Sequence, residues 1–443
     1  MTTTAHINTL RPSVAPLKPE AVSDHPNTAN PRPVSSTGLY GDRVERGTLA
    51  HADIQNVPTA AGSSRPNGAL SPLGARLAGV QAIHDGASAQ PTKVGVLLTS
   101  HGDIDDPDTQ LREYVREAVL KNPGLPLPKW VRPFVDRVGW PLQKDSLNEQ
   151  YDETGPTKYN ANSIKQAEAL DAALEEAGID GKTYVGYNFV PPFIDDAIEQ
   201  MKADGVTHVM VFNQGAQNSI ATMGESIGEV KEALEKRPDW DVKVTAVTEF
   251  NDDERFINLM ESRLIRDAEN AFPGHDPKET LLFITSHGLP QHLIDKGDPA
   301  TADMLASVAE LKKRLGAKGY QVEHGFLNDD FFPGATWTSP NAEDRAQEVL
   351  NEVLAKRRVA PKHVLLDGRL SFTVHHRATL YDADIVVREI METPQGPPWA
   401  KFEGAEVVLA PNFDGDPGLA ELYASLTKEA LAGTADNVEV IED

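Results

Sequence analysis

The segment Val96-Leu97-Leu98-Thr99-Ser100-His101-Gly102 returns later in the chain as Leu282-Phe283-Ile284-Thr285-Ser286-His287-Gly288. Each copy is a short apolar run closing on the same Thr-Ser-His-Gly turn, and each opens a stretch where apolar runs alternate with amphipathic segments. An apolar run followed by a tight turn reads as a parallel strand buried on both faces. Chance recurrence is the weaker reading, because the same turn falls at the same structural point twice. The repeat limits the fold to one class: α/β, with two pseudo-symmetric, doubly wound, Rossmann-like parallel-sheet halves facing each other across a cleft. In such folds ligands bind beyond the carboxyl ends of the strands. Both His-Gly turns lie there.

The alternation fixes the expected layout. Strands are expected at Lys93–Leu98, Thr183–Tyr187, His208–Phe212, Val242–Val247, Thr280–Thr285, Gln321–Leu327 and His363–Leu366. Helices are expected at Pro107–Lys121, Ser163–Ala177, Pro192–Ala203, Thr222–Glu235, Asp253–Phe272, Thr301–Leu315, Ala342–Ala355, Ala378–Glu392 and Leu419–Leu431. Residues 93–275 then form the N-terminal half and 276–443 the C-terminal half. The stretch 125–162 is too long and irregular for a connection and is expected to be a flap, with Trp130, Trp140 and Tyr159 able to stack on a ligand. Residues 1–92 are rich in Pro, Ser and Ala, lack sustained periodicity, and read as a disordered tail with one short helical stretch at Leu73–Ile83.

Charge and composition exclude several functions. The formal charge is −25, from 42 Lys+Arg against 67 Asp+Glu. Such a surface repels a phosphate backbone, so no nucleic-acid partner is expected. Cysteine is absent, which removes disulfides, Cys-held zinc or iron–sulfur clusters and thiol nucleophiles. No apolar run approaches the roughly 20 residues of an integral membrane segment. The expected setting is cytoplasmic, with the tail as the place for any peripheral or protein partner. Neither a Gly-x-x-x-x-Gly-Lys-Ser/Thr phosphate loop nor a Gly-x-Ser-x-Gly elbow occurs.

The residues that can carry chemistry cluster at the predicted strand ends. His101 and His287 occupy corresponding positions, and His375-His376 follow another strand. A neutral imidazole binds a transition metal or accepts a proton near neutral pH. One such histidine is as often structural as functional; the paired set favours function. The loop Asn213–Ser219 with Thr222 offers amide and hydroxyl donors to an anionic group, or caps the following helix. Arg116 and Lys121 are either solvated helix charges or carboxylate binders at the cleft rim.

Several motifs in one colinear order resemble the ferrochelatases, the enzymes that insert ferrous iron into a porphyrin to make haem. These are Ser286-His287-Gly288-Leu289-Pro290 with Gly297-Asp298-Pro299, and Tyr187 through Ile198 with Pro191-Pro192-Phe193. They continue with Gln217-Asn218-Ser219-Ile220-Ala221-Thr222-Met223-Gly224, Ser371-Phe372-Thr373-Val374-His375-His376 with Thr379-Leu380-Tyr381-Asp382, and Asn412-Phe413 with Asp416-Pro417. The resemblance spans about 93–432 and implies a chelatase-like fold around a tetrapyrrole cleft. It implies a lyase that bends the ring, removes two pyrrole protons and delivers a metal. Fe2+ is then substrate, and no cofactor is permanently bound.

By the same resemblance His287, His376 and Asp382 are candidate catalytic residues, with His287 as proton acceptor, metal ligand or both. His287, His101 and His375 are candidate metal ligands. Gln217, Ser219, Thr222, Arg116, Lys121 and Trp337 are candidate substrate-binding residues. The chain departs from the family pattern in four places. The family glutamate after His-x falls on Ala378, a later acidic position on Val386, and an aspartate before the histidine on His375. The first strand ends in His101-Gly102-Asp103, closer to the small chelatases that act on sirohydrochlorin. Two further readings therefore stand beside iron insertion: a chelatase for another metal and ring, such as cobalt or nickel with sirohydrochlorin, and a porphyrin- or haem-binding protein that inserts nothing.

Overall fold

The computed structural model describes residues 92–441 except 126, 329–335 and 400. The expected tail at 1–92 and the helical stretch Leu73–Ile83 lie outside the described residues, apart from Thr92.

Strands β1 (Val94–Ser100), β2 (Gly181–Tyr187), β3 (His208–Asn213) and β4 (Lys243–Val247) form the first sheet in the order β2-β1-β3-β4. Strands β5 (Thr280–His287), β6 (Gln321–Leu327), β7 (His363–Asp367) and β8 (Glu406–Leu409) form the second in the order β6-β5-β7-β8. All these pairings are parallel. The two orders are the same, with the repeated segments as β1 and β5, so the sequence repeat is a repeat of architecture. Every residue of β1 is buried. Its Leu97 packs with Ile194 and Ile198 of α4 (Ile194–Ala203) and Val230 of α5 (Met223–Glu235) on one face. Val96 and Leu98 join the opposite cluster with Leu170 and Leu174 of α3 (Tyr159–Glu176). Burial on both faces is why the strand reads as a continuous apolar run.

That second cluster also holds Leu282 and Ile284 of β5. With them are Met260 and Leu264 of α6 (Glu254–Ala271), Leu311 of α8 (Ala300–Ala317) and Tyr423 of α11 (Pro417–Leu431). The two sheets therefore share one core. Helix α1 (Pro107–Lys121) begins at Asp106, whose carboxylate accepts from Asp108 N, and α6 begins at Asp253, which accepts from Arg255 N. Such caps are worth about 1 kcal/mol each.

Three expectations are corrected. The flap contains a helix, α2 (Arg132–Thr154). Pro133 sits in its first turn, where a missing N–H costs nothing, while Pro141 and Gly139 inside it hide the helical pattern. Buried Arg132 donates to the carbonyls of Leu120, Leu125 and Leu127, and Arg112 of α1 grips buried Asp136 of α2 through two bonds of 2.7 and 2.6 Å. The helix expected over Ala378–Glu392 is a π-helical stretch, Thr379–Val387, followed by α10 (Arg388–Glu392). Nor does 276–443 form one contiguous half. Helix α11 packs on α3 of the first half, and β9 (Val438–Ile441) pairs antiparallel with β4 at that sheet's edge. The partly apolar strand β9 covers an edge that would otherwise expose unpaired backbone.

Between the halves lies Arg369, 1% exposed. It bonds Asp367 at the end of β7 at 2.5 Å and Asp267 of α6 at 2.6 Å. Both aspartates are buried. Removing one partner of a buried ion set leaves uncompensated charge, so Arg369→Ala is predicted to lower stability by about 3–5 kcal/mol. Urea unfolding reads this, and a loss below about 1 kcal/mol contradicts the assignment.

Candidate active site

The carboxyl ends of β1, β3, β5 and β7 converge on one cleft. At the end of β1, Gly102 has φ +75°, which lets the chain turn sharply after His101. At the end of β5 a Cβ on Gly288 would lie 1.8 Å from Asn328 Oδ1 and 2.5 Å from Thr338 Oγ1, so a larger residue after His287 would require those side chains to move.

The two halves are sewn together here. Gln217 Nε2 donates to Leu370 O at 2.8 Å, and the N–H and hydroxyl of Thr373 both reach Gln214 O, at 3.1 and 3.2 Å. Buried Asp298, just before α8, accepts from Ser219 Oγ (2.8 Å), Ile220 N (2.7 Å) and Ala300 N (3.0 Å). Gln217 and Ser219, expected as ligand donors, thus spend these polar groups on the scaffold while still lining the cleft.

His101, His287, His376, Gln217, Ser219, Thr222 and Trp337 line the cleft together. His287 Nδ1 donates to Gly288 O at 2.7 Å, so its neutral ring carries the lone pair on Nε2. In His376 the Ala378 N–H donates to Nδ1 at 3.4 Å, which puts the proton on Nε2. The two imidazoles therefore hold opposite tautomers. Phe372 stands between them, stacked on His376 (5.0 Å, 15°) and edge-on to His287 (5.7 Å, 89°). Trp337 meets His287 at 6.4 Å, also edge-on. Behind His287, Ser286 Oγ and His324 Nε2 share a hydrogen bond of 2.7 Å; burial pushes that imidazole down to about 4 and keeps it neutral.

His101 is differently held. Its Nε2 donates to Ala221 O at 2.9 Å and lies 3.4 Å from Glu225 Oε2, while the ring stacks on Phe189 at 4.6 Å. Burial works against charge on this ring, but the Glu225 carboxylate outweighs it, and the pKa stands above 6.5. The expected metal ligand is thus a ring whose Nε2 is already committed.

Four candidates lie outside the cleft lining. His375 precedes His376 in the loop just before the helical turn at 377. It turns inward, its Nδ1 3.3 Å from Thr379 Oγ1, and burial lowers its pKa. Asp382 lies along the π-helical stretch. Arg116 pairs with Glu113 at 2.6 Å on the outer face of α1. Lys121 donates to Asn188 O (2.8 Å) and pairs with Glu117 (3.3 Å) and Glu229 (3.2 Å), a structural clasp. Trp130, Trp140 and Tyr159 do not line it either. Leu125, Leu147 and Tyr151 do so from that part of the chain, with Tyr151 donating to buried Asp103 at 2.7 Å. Arg377 also lines the cleft and was hidden inside the His376–Ala378 motif.

Among the described residues no aspartate or glutamate lines the cleft, and no three His, Asp or Glu side chains are grouped to hold a metal ion. Ala378 packs into the core of the second half, 1% exposed.

A ferrochelatase family model matches residues 93–431. The chain belongs to the ferrochelatase family. It is 26% identical over 346 residues to the ferrochelatase of Thermosynechococcus vestitus, covering 77% of this chain and 83% of that one. To the mitochondrial ferrochelatase of Bos taurus it is 23% identical, covering 76% and 77%. Among solved structures, SirB from Bacillus subtilis with Fe3+ aligns at a TM-score of 0.45 with 13% identity, over 77% of this chain and 97% of that one. Family membership accounts for the colinear motifs.

Two predictions follow from this geometry. Glu225→Gln removes the charge that holds the His101 pKa up, so its titration midpoint moves to lower pH by NMR; an unchanged midpoint refutes the pairing. Ala378→Glu places a carboxyl in an apolar core and is predicted to lower stability by about 2 kcal/mol or more. An unchanged melting temperature would show that the new side chain reaches solvent or the cleft instead.

Proposed function

We propose that the chain catalyses insertion of a divalent metal ion, ferrous iron, into a porphyrin, the last kind of step in making haem. The observation that carries the reading is His287 with His101 and His376 at the strand ends of a ferrochelatase-family cleft whose other walls are mostly apolar and aromatic. Insertion requires two ring N–H protons to leave while the electron pair of each bond stays on nitrogen and binds the metal. His287, with its lone pair on Nε2, is suited to take up a proton or to pass the metal, because an imidazole changes charge near working pH. His376 presents an N–H instead, which suits it to orient the ring. Phe372, Trp337, Leu125 and Tyr151 supply flat and apolar surface that excludes water. Iron enters as substrate, no permanently bound cofactor is proposed, and the sequence offers no cysteine for an iron–sulfur cluster. The proposed setting is the cytoplasm. This rests on composition; among the described residues no helix is long and apolar enough to cross a membrane.

A second reading has the same cleft bind porphyrin without inserting metal. It is favoured by the absence of a carboxylate from the described lining. The metal-dependent absorbance change of free-base tetrapyrroles, including a sirohydrochlorin-type ring, separates the readings when tried with ferrous iron, cobalt, nickel and zinc. Turnover with ferrous iron and porphyrin is expected, and His287→Ala should reduce it by about 10²-fold or more. Tight binding with no turnover for any pair would leave only the second reading.

A further inference from the structure

The turn after α9 (Ala342–Leu354) reads Lys356-Arg357-Arg358-Val359-Ala360-Pro361-Lys362, a basic run in a chain at −25. Lys356 N donates to Val353 O at 2.9 Å and Arg357 N to Glu352 O at 2.8 Å, the bonding of a helix that closes on a left-handed residue. Lys356 is that residue, at φ +56°, in a seat that favours glycine. Arg358 is committed to Glu323 and Glu352, and Lys362 to Glu279. Lys356 and Arg357 are exposed and pair with no described carboxylate.

A second loop faces this turn. Gln395 and Phe402 exchange two backbone bonds of 2.9 and 2.7 Å, and Phe402 is buried in the core of the second half. That anchored base presents Trp399, 81% exposed, and Lys401, which also has no described ionic partner. Between the two loops runs a groove floored by Val353 and Leu354, both packed on the same core, with Val359, 58% exposed, at its edge. No described carboxylate lines it. The turn leads into β7 and the loop into β8, so the groove lies at the amino ends of the second sheet. The cleft lies at the carboxyl ends.

An exposed indole beside unpaired cations suits a ligand that is both anionic and apolar, and Trp and Arg are the usual anchors of protein interfaces. A small ligand needs a pocket that encloses most of its surface, whereas the residues lining this groove are largely exposed. A second copy presenting the same groove would bring like charges face to face. We propose that the groove docks an acidic segment of another protein, its carboxylates meeting Lys356, Arg357 and Lys401 while an apolar side chain lies on Trp399. The acidic remainder of the chain repels such a segment, so the partner is steered to this one place.

The test uses the full-length protein and a short dye-labelled peptide of glutamates around one leucine and one phenylalanine, followed by fluorescence anisotropy. Wild type should bind it, and more weakly as salt rises. Reversing Lys356→Glu and Arg357→Glu together, or changing Trp399→Ser, should each weaken binding about tenfold. Lys129→Glu, an exposed lysine on another part of the chain, should stay within about twofold. Unchanged melting temperatures exclude unfolding as the cause of any loss. The proposal is overturned if wild type binds no peptide up to about 1 mM. It is equally overturned if the peptide with glutamine for glutamate binds as tightly, if the groove variants bind like wild type, or if Lys129→Glu loses as much as they do. A single-stranded oligonucleotide that outcompetes the peptide at this groove would assign it to nucleic acid instead.

Discussion

The site depends on a buried guanidinium. Arg369 ties the end of β7 to α6 through Asp367 and Asp267, and the segment that follows carries Ser371, Phe372, His376 and Arg377 into the cleft. A buried ion set of this kind is weak evidence for stability, because apolar residues of the same volume often do as well. Its stronger effect here is directional. A guanidinium fork donates to its two carboxylates in few orientations, so the loop leaves β7 along one path. Phe413 adds to this by lying under the guanidinium, 5.5 Å from ring to charge.

From that anchor the cross-links run outward. Leu370 O receives Gln217, Ser371 Oγ receives His287 N at 2.9 Å, and Thr373 receives Asp414 N while itself reaching Gln214 O. Each bond joins a strand-end loop of one half to another element. A polar loop at a strand end can meet a ligand or brace the fold; the loop 213–219 is used largely for bracing. The described lining of the cleft is left with three histidines, one arginine, a few amides and hydroxyls, and a surface largely aromatic and aliphatic.

Much of this was legible in the sequence. Fully buried strands announce themselves as apolar runs, and the Thr-Ser-His-Gly repeat marked β1 and β5 as equivalent, while the strand orders emerge only from the structure. His101, His287 and His376 could be placed at strand ends for the same reason. The losses also have physical causes. Helix α2 carries two prolines and a glycine, so its periodicity is poor although the Arg112–Asp136 ion pair and the Arg132 bonds to backbone carbonyls hold it. Strand β9 is four residues long, below what alternation can reveal. The facing of neighbouring side chains is set by local backbone, so His375 and His376 looked equivalent until one turned inward. Charges on α1 were ambiguous because only their partners, Glu113 for Arg116 and Glu229 for Lys121, distinguish a clasp from a binding rim.

The acidity of the chain takes on a meaning once the cleft is known. A chain at −25 draws divalent cations toward it at moderate ionic strength. If carboxylates also clustered in the cleft, they would compete with the ring for the metal they had attracted. The described lining instead offers imidazoles, and of these His101 has Nε2 committed to Ala221 and Glu225 while His376 holds its proton on Nε2. No described cluster of three His, Asp or Glu side chains is present to trap the ion. A metal meets few carboxylate ligands among the described lining residues, so on the proposed reading the deprotonated ring nitrogens are the better donors there. On that same reading proton removal falls to an imidazole, for which His287 is the proposed residue.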